Sequence, residues 1–278
     1  MLRFVTLIFG LFGRGRSPAA LLNLTVPHSG YRVERDISYG GEKRQRLDLY
    51  VPDGFQAPAP AVLFLYGGGF IAGRKSEYRV VGQALTSAGI IVGIADYGLY
   101  PEFRFPTFVE DGAKAFVTFR ALLSDVGGDP KRVFVAGHSA GAYIAAMLAT
   151  NPRYLQGAGV DHSSLRGAIG MAGAYDFLPI TNPQRIEIFG GSDRLETQPI
   201  HFVDGKRPPM LLLTGGKDST VLPRNTRNLA EKLRSYGSKV EEIVYPNVSH
   251  SGIMLALVPG FRRIAPVRAD IIRFVEKN

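Results

Sequence analysis

Residues 132–149 read RVFVAGHSAGAYIAAMLA, which divides into a run of strand character, a turn of small residues holding a single serine, and a long apolar stretch. Arg132–Ala136 is the short apolar run expected of a strand covered on both faces. Ala140–Ala149 is apolar on nearly every side, as a fully buried helix is. Between them, Gly137-His138-Ser139-Ala140-Gly141 fits G-x-S-x-G. In that motif small residues relieve crowding around a strained turn that projects the serine hydroxyl beyond the sheet. A plain strand-to-helix turn could use Ser139 as a cap. The buried strand before it and the buried helix after it are the setting that a nucleophile requires.

Working outward, Ala61–Tyr66 (AVLFLY), Ile90–Ala95 (IIVGIA), Ala168–Ala172 (AIGMA), Met210–Thr214 (MLLLT) and Val240–Tyr245 (VEEIVY) read as further strands. Tyr31–Ser38 and Arg46–Val51 alternate polar and apolar residues and read as an antiparallel pair with one buried face. Thr107–Leu123, Pro223–Tyr236 and Pro266–Lys277 carry helical spacing. Strands alternating with helices predict an α/β fold: a doubly wound, mostly parallel sheet of about eight strands with an antiparallel N-terminal edge. Residues 175–208 break the rhythm and predict an irregular insertion, a small cap over the substrate entrance.

A serine hydroxyl needs a base. His138 adjoins Ser139 in sequence and should point elsewhere, while His28, His162 and His201 sit in polar, loop-like surroundings. His250 follows the last strand, at the carboxyl edge where open parallel sheets build their sites. The order Ser…Asp/Glu…His then asks for an acid after an intervening strand. Asp218, behind Met210–Thr214 and Gly215-Gly216-Lys217, meets this, with Asp176 as second choice. The acid's task is to orient the imidazole and stabilise its charged form.

Tyr66-Gly67-Gly68-Gly69-Phe70 follows the first buried parallel strand, where backbone donors for an oxyanion normally lie. A competing reading takes Gly67-x-Gly69-x-x-Ala72 as a dinucleotide fingerprint with Asp96 as its acid. That reading leaves 137–141, Asp218 and His250 without a task.

Lys and Arg number 33 against 24 Asp and Glu, for a net charge of +9. The charges are scattered, which describes a cationic surface and not a nucleic-acid site. With no cysteine, disulfides and thiolate chemistry are excluded. No metal-ligand spacing and no cofactor motif is expected beyond the fingerprint just weighed. Residues 1–30 stand apart as a cap, an anchor or a leader. Within them Phe4–Gly13 (FVTLIFGLFG) is too short to span a bilayer. Its flanking arginines favour a cytoplasmic or membrane-associated protein over a secreted one, with peripheral membrane contact through residues 1–13.

Tyr66–Phe70, Asp96-Tyr97, Tyr100-Pro101, Phe105-Pro106, the 137–141 motif, Gly216-Lys217-Asp218 and Ser249-His250 together resemble the α/β-hydrolase superfamily. Within it they are similar to the hormone-sensitive-lipase-like carboxylesterases and the related short-chain esterase and kynurenine-formamidase-like group, from about residue 31 to 278. The resemblance implies a carboxylic ester hydrolase with Ser139 as nucleophile, His250 as base and Asp218 as acid. It also implies that Gly68, Gly69 and Ala140 supply the oxyanion N–H groups. The substrates implied are short- to medium-chain acyl or aryl esters, taken by a monomer or homodimer. An aryl formamidase or other amidase is the nearest alternative, and a non-catalytic binding module of the same fold a more distant one. The chain departs from that group at Tyr66, where histidine usually precedes the three glycines, and at His138, where aspartate is more usual.

Overall fold

The computed structural model describes Asn23 and residues 25–278. The expected N-terminal segment, and with it the membrane contact of residues 1–13, lies outside the described residues apart from 23 and 25–30. Eight strands form one sheet: β1 (Tyr31–Ser38), β2 (Arg46–Pro52), β3 (Ala59–Leu65), β4 (Ile91–Ala95), β5 (Gly128–His138), β6 (Gly167–Met171), β7 (Met210–Gly215) and β8 (Val240–Tyr245). Their order is β1-β2-β4-β3-β5-β6-β7-β8. β2 runs antiparallel to both β1 and β4, and every other pairing is parallel. This is the α/β fold with the mixed N-terminal edge that the patterning predicts.

The continuous apolar runs are the strands buried on both faces. β3 and β4 lie between α1 (Arg79–Thr86), α2 (Thr107–Leu122) and α3 (Ala140–Thr150), and every residue of β4 is buried. Gly93 in β4 exists for packing: a Cβ there would sit 2.6 Å from the Phe119 ring of α2. Every residue of α3 is buried, so its all-apolar surface is a consequence of its position under the sheet's carboxyl edge. The outer strand β8 is only partly covered. Its Glu241 and Glu242 pair with Lys277 and Arg234, placing charge on an edge that would otherwise invite another strand.

α1 was not expected from the sequence. Gly82 interrupts its pattern, and that glycine is needed because a Cβ would lie 2.6 Å from the Tyr50 ring. The segment 175–208 is more ordered than the irregular insertion expected of it. It contains α5 (Pro183–Phe189), opened by Asn182, whose side chain accepts from Arg185 N–H at 3.0 Å, and closed by Gly190 at φ 72°. The remaining helices are α4 (Arg153–Gly157), α6 (Arg224–Ser235), α7 (Gly252–Leu255) and α8 (Val267–Lys277). Among the described residues no helix is long and apolar enough to cross a membrane.

Candidate active site

Ser139 stands between β5 and α3 with φ 52° and ψ −117°. A non-glycine residue in that region carries a cost of order 1–3 kcal/mol and persists only where its surroundings enforce it. Here its N–H donates to the Met171 carbonyl at 2.9 Å, and its own carbonyl accepts from Tyr143 N–H at 3.0 Å. The two glycines of the motif are now accounted for atom by atom. A Cβ on Gly137 would lie 2.2 Å from the Gly141 carbonyl, and one on Gly141 would lie 1.9 Å from the Leu65 carbonyl oxygen. No real Cβ approaches backbone so closely, so the turn exists only with glycine at both places.

Asp218 and His250 meet across the loops that follow β7 and β8. His250 Nδ1 donates to Asp218 Oδ2 at 2.8 Å. Oδ1 of the same carboxylate accepts from the Thr220 and Val221 amides, each at 2.9 Å. Burial pushes the Asp218 carboxyl up, but the hydrogen bonds from His250 and the two amides outweigh it, and the group lies below the ordinary carboxylate range. With Nδ1 committed to Asp218, Nε2 remains as the basic nitrogen of His250. The loops are pressed together: Lys217 N–H donates to the Val248 carbonyl at 3.0 Å, and a Cβ on Gly215 would fall 2.2 Å from that same oxygen.

Asp176, the second choice for the acid, is engaged elsewhere and accepts from Asn228 Nδ2 at 2.6 Å. His28 contacts Arg79, His162 Nε2 donates to the Leu148 carbonyl, and His201 packs on Phe202. His138 does point away from a partnership with Ser139, but toward a partner the sequence reading missed. Its Nε2 lies 3.1 Å from the backbone carbonyl of His250, and the two imidazole rings are 4.8 Å apart. Since a carbonyl can only accept, Nε2 carries the proton. The buried Nδ1 then keeps a lone pair with no partner among the described residues. Burial, and next the neighbouring His250, push the His138 pKa down to about 3.

Gly68 and Gly69 have φ 148° and 63°, and both are exposed. The Gly68 carbonyl accepts from Ile71 and Ala72, curling the loop back on itself. Among the described residues the N–H groups of Gly68, Gly69 and Ala140 donate to nothing, so all three are available to a bound oxygen. β3 and β5 pair in register up to Leu65 and Gly137, which puts this loop beside the serine turn.

Tyr66, the departure from the usual histidine, is firmly held. Its hydroxyl donates to Asp96 Oδ1 at 2.8 Å and accepts from Arg44 Nη2 at 2.6 Å. Its ring stacks between Tyr97 at 4.8 Å and Tyr78 at 5.3 Å, and its carbonyl accepts from the Tyr97 hydroxyl at 2.7 Å. Asp96 Oδ1 also accepts from Lys75 N–H at 2.7 Å. That carboxylate is thus occupied by the loop and not held out for a ribose. Moreover, helix α1 begins only at Arg79, so the glycines do not open a helix as a dinucleotide fingerprint must. Among the described residues no cluster of His, Cys, Asp and Glu is arranged to hold a metal ion.

An aromatic bed lies beneath this loop. Phe70 stacks on Phe108 at 4.3 Å and meets Tyr143 and Phe189 edge-on at 5.5 and 5.4 Å. Phe177 packs on Phe189 at 5.3 Å. Phe189 of α5 is thereby seated on Phe70, the residue that follows Gly69, and both Phe189 and the loop residue Phe177 meet Tyr143, a helical turn beyond Ser139. The helix-opening Asn182-Pro183 pair and the closing Gly190 were the signals that would have located α5.

The strand order, with a strained serine turn closing an inner strand, makes this chain an α/β-hydrolase. Its sequence then narrows the class: the chain belongs to the BD-FAE family, whose model matches residues 47–233. A probable isoprenylcysteine alpha-carbonyl methylesterase, ICMEL1 of Arabidopsis thaliana, is 28% identical over 80% of this chain and 52% of its own length. Esterase LipC of Mycobacterium tuberculosis is 28% identical over 80% of this chain and 60% of its own. The chain therefore spans a little over half the length of the plant relatives. Among solved structures, a truncated carbohydrate esterase from gut microbiota superposes with a TM-score of 0.78 at 19% identity, covering 91% of this chain and 98% of that one. The propionate-bound Est2 esterase of Thermogutta terrifontis gives 0.74 at 21%, covering 90% and 96%. These two likenesses bear on the fold.

Proposed function

We propose that the chain hydrolyses carboxylic esters with short- to medium-chain acyl or aryl groups through an acyl-enzyme on Ser139. The observation that carries this reading is the His250–Asp218 hydrogen bond at the carboxyl edge of the sheet that also bears the strained serine. Ser139 Oγ attacks the ester carbonyl carbon while His250 Nε2 takes the hydroxyl proton. Asp218 fixes the tautomer and stabilises the imidazolium. The oxyanion accepts from Gly68, Gly69 and Ala140 N–H. Collapse expels the alcohol, which leaves with the proton from His250. Water then repeats the sequence on the acyl-enzyme, releasing the carboxylic acid and restoring Ser139. The relatives similar in sequence, esterases and methylesterases by name, agree with this class.

The test is turnover of p-nitrophenyl esters from acetate to laurate by wild type and Ser139→Ala. We expect hydrolysis that the variant loses by a factor on the order of 10⁶, as in comparable triads. Activity surviving in the variant would refute the role of Ser139. No turnover of esters by folded protein, together with turnover of aryl formamides, would replace the esterase with the amidase. Residence in the cytoplasm or at a membrane surface through residues 1–13, and assembly as monomer or homodimer, belong to the same proposal. Co-sedimentation with anionic vesicles and light scattering test them.

A further inference from the structure

We propose that His138 is a positioning residue for the base, its Nε2–H holding the backbone carbonyl of His250 while its uncharged ring leaves Asp218 as the one charge set against the imidazole. This rests on the esterase reading above. The geometry is specific. His250 sits on a loop between β8 and α7, and its side chain is tied down through Nδ1 alone. A second tether acts on its backbone, from the residue that immediately precedes the nucleophile. The serine turn and the base's loop are otherwise 112 residues apart in sequence, and this hydrogen bond joins them directly. Ser139 and His250 must approach within hydrogen-bond reach for proton transfer, and errors of about 1 Å in such a placement can cost 10²-fold in rate.

The choice of histidine follows from its surroundings. The ring is buried, with Nδ1 against the backbone of the glycine loop, where a Cβ on Gly67 would lie 2.9 Å away. A long cation or an unpaired carboxylate would be costly in that space. Imidazole supplies a donor at the right reach while remaining neutral. The groups facing His250 are Asp218 from the β7–α6 loop and His138 from the serine turn, and Asp218 is the only acid in ion-pair range among the described residues. In this chain a carboxylate at position 138 would add a second negative charge beside the imidazole, on the side where His138 now packs, favouring its protonated, inactive form.

Three variants assayed with p-nitrophenyl acetate across pH, beside Ser139→Ala, test this. His138→Leu removes the donor without adding charge, and kcat should fall on the order of 10-fold with KM and the acidic limb of kcat/KM unmoved. His138→Gln, whose amide reaches the Nε2 position, should recover most of that loss. His138→Asp should move the acidic limb upward by about one pH unit, a displacement that a purely structural role would not produce. Wild-type kcat in His138→Leu, or an unmoved limb in His138→Asp, overturns the proposal. If Ser139→Ala abolishes turnover while His138→Leu turns over normally, only the role of His138 fails. If Ser139→Ala retains turnover, the esterase reading itself fails.

Discussion

Replacing Tyr66 by Phe removes one oxygen from the structure and should weaken both the fold and the chemistry by amounts the contacts define. The hydroxyl makes two hydrogen bonds to charged groups, from Arg44 and to Asp96. Bonds of that kind contribute about 1.5–3 kcal/mol each. The loss should lie well under their sum, because neither charge is stranded. Arg44 still donates to the Tyr97 and Gly73 carbonyls and lies 3.6 Å from Asp96, and Asp96 still accepts from Lys75 N–H. The stacks on Tyr78 and Tyr97 are untouched by the change. We expect about 2 kcal/mol of destabilisation, read as a fall in Tm of about 4–8 °C for a chain of this size. Burial, then the neighbouring Tyr97 and Asp96, push the Tyr66 phenol well above its ordinary range, so at neutral pH it stays protonated and donates. The glycines that follow Tyr66 are proposed to bind charge present only in the transition state, so kcat should fall with little change in KM. A Tm within about 1 °C of wild type, with kcat unchanged, would show that the loop does not depend on this hydroxyl.

Other outcomes follow from the same geometry. Gly141→Ala forces a Cβ to 1.9 Å from the Leu65 carbonyl. The backbone cannot yield as a side chain would, so the cost should reach about 3 kcal/mol or more, visible as a lower urea midpoint or loss of soluble protein. Stability should also fall with acid, and the sign is set by His138. Its folded pKa of about 3 lies below the ordinary 6.5, so the unfolded chain binds the proton first. Its contribution is therefore complete above pH 6.5 and is lost downward at about 1.4 kcal/mol per pH unit, some 5 kcal/mol by pH 3. In urea titrations from pH 7 to 4, His138→Leu should show a shallower dependence than wild type by about one proton. An identical slope would contradict the burial of that ring.

Residues with one structural duty were legible in the sequence, and those with several were not. Every run read as a strand is a strand; for β3, β4, β6 and β7 the reason is burial on both faces, which leaves a continuous apolar pattern, while β8 is a partly covered edge. The boundary of β5 was placed late. Gly128 pairs with Ala59 ahead of an irregularity in register, and the polar residues 129–132 between hide that pairing. Ser139, Asp218 and His250 were proposed from strand ends and chain order, and the structure brings the last two into hydrogen-bond contact. The tethers that hold them were out of reach. Nothing in local sequence ties His138 to a carbonyl 112 residues away, or Tyr66 to Arg44 across a turn of the sheet. One support was within reach: an aspartate two residues before a threonine often bonds that backbone N–H, as Asp218 does with Thr220.

The register between β3 and β5 has a consequence for how such a chain can change. The glycine loop and the serine turn, proposed to do the chemistry, leave the sheet just beyond the paired residues Leu65 and Gly137, so their spacing is fixed by main-chain hydrogen bonds that no side-chain replacement can alter. The loops that carry Asp218 and His250, the proposed acid and base, begin beyond a second such pair, Gly215 with Tyr245, at the far side of β6. The segment 175–208 meets the aromatic bed through side chains such as Phe177 and Phe189, and through the Ile188 and Thr197 carbonyls, which accept from Phe105 N–H and the Tyr143 hydroxyl. On the reading proposed above, with that segment as a cap, selection can rework it, and with it what enters, while the proposed reacting atoms keep their distances. On that reading substrate range and chemistry are inherited on separate parts of the chain.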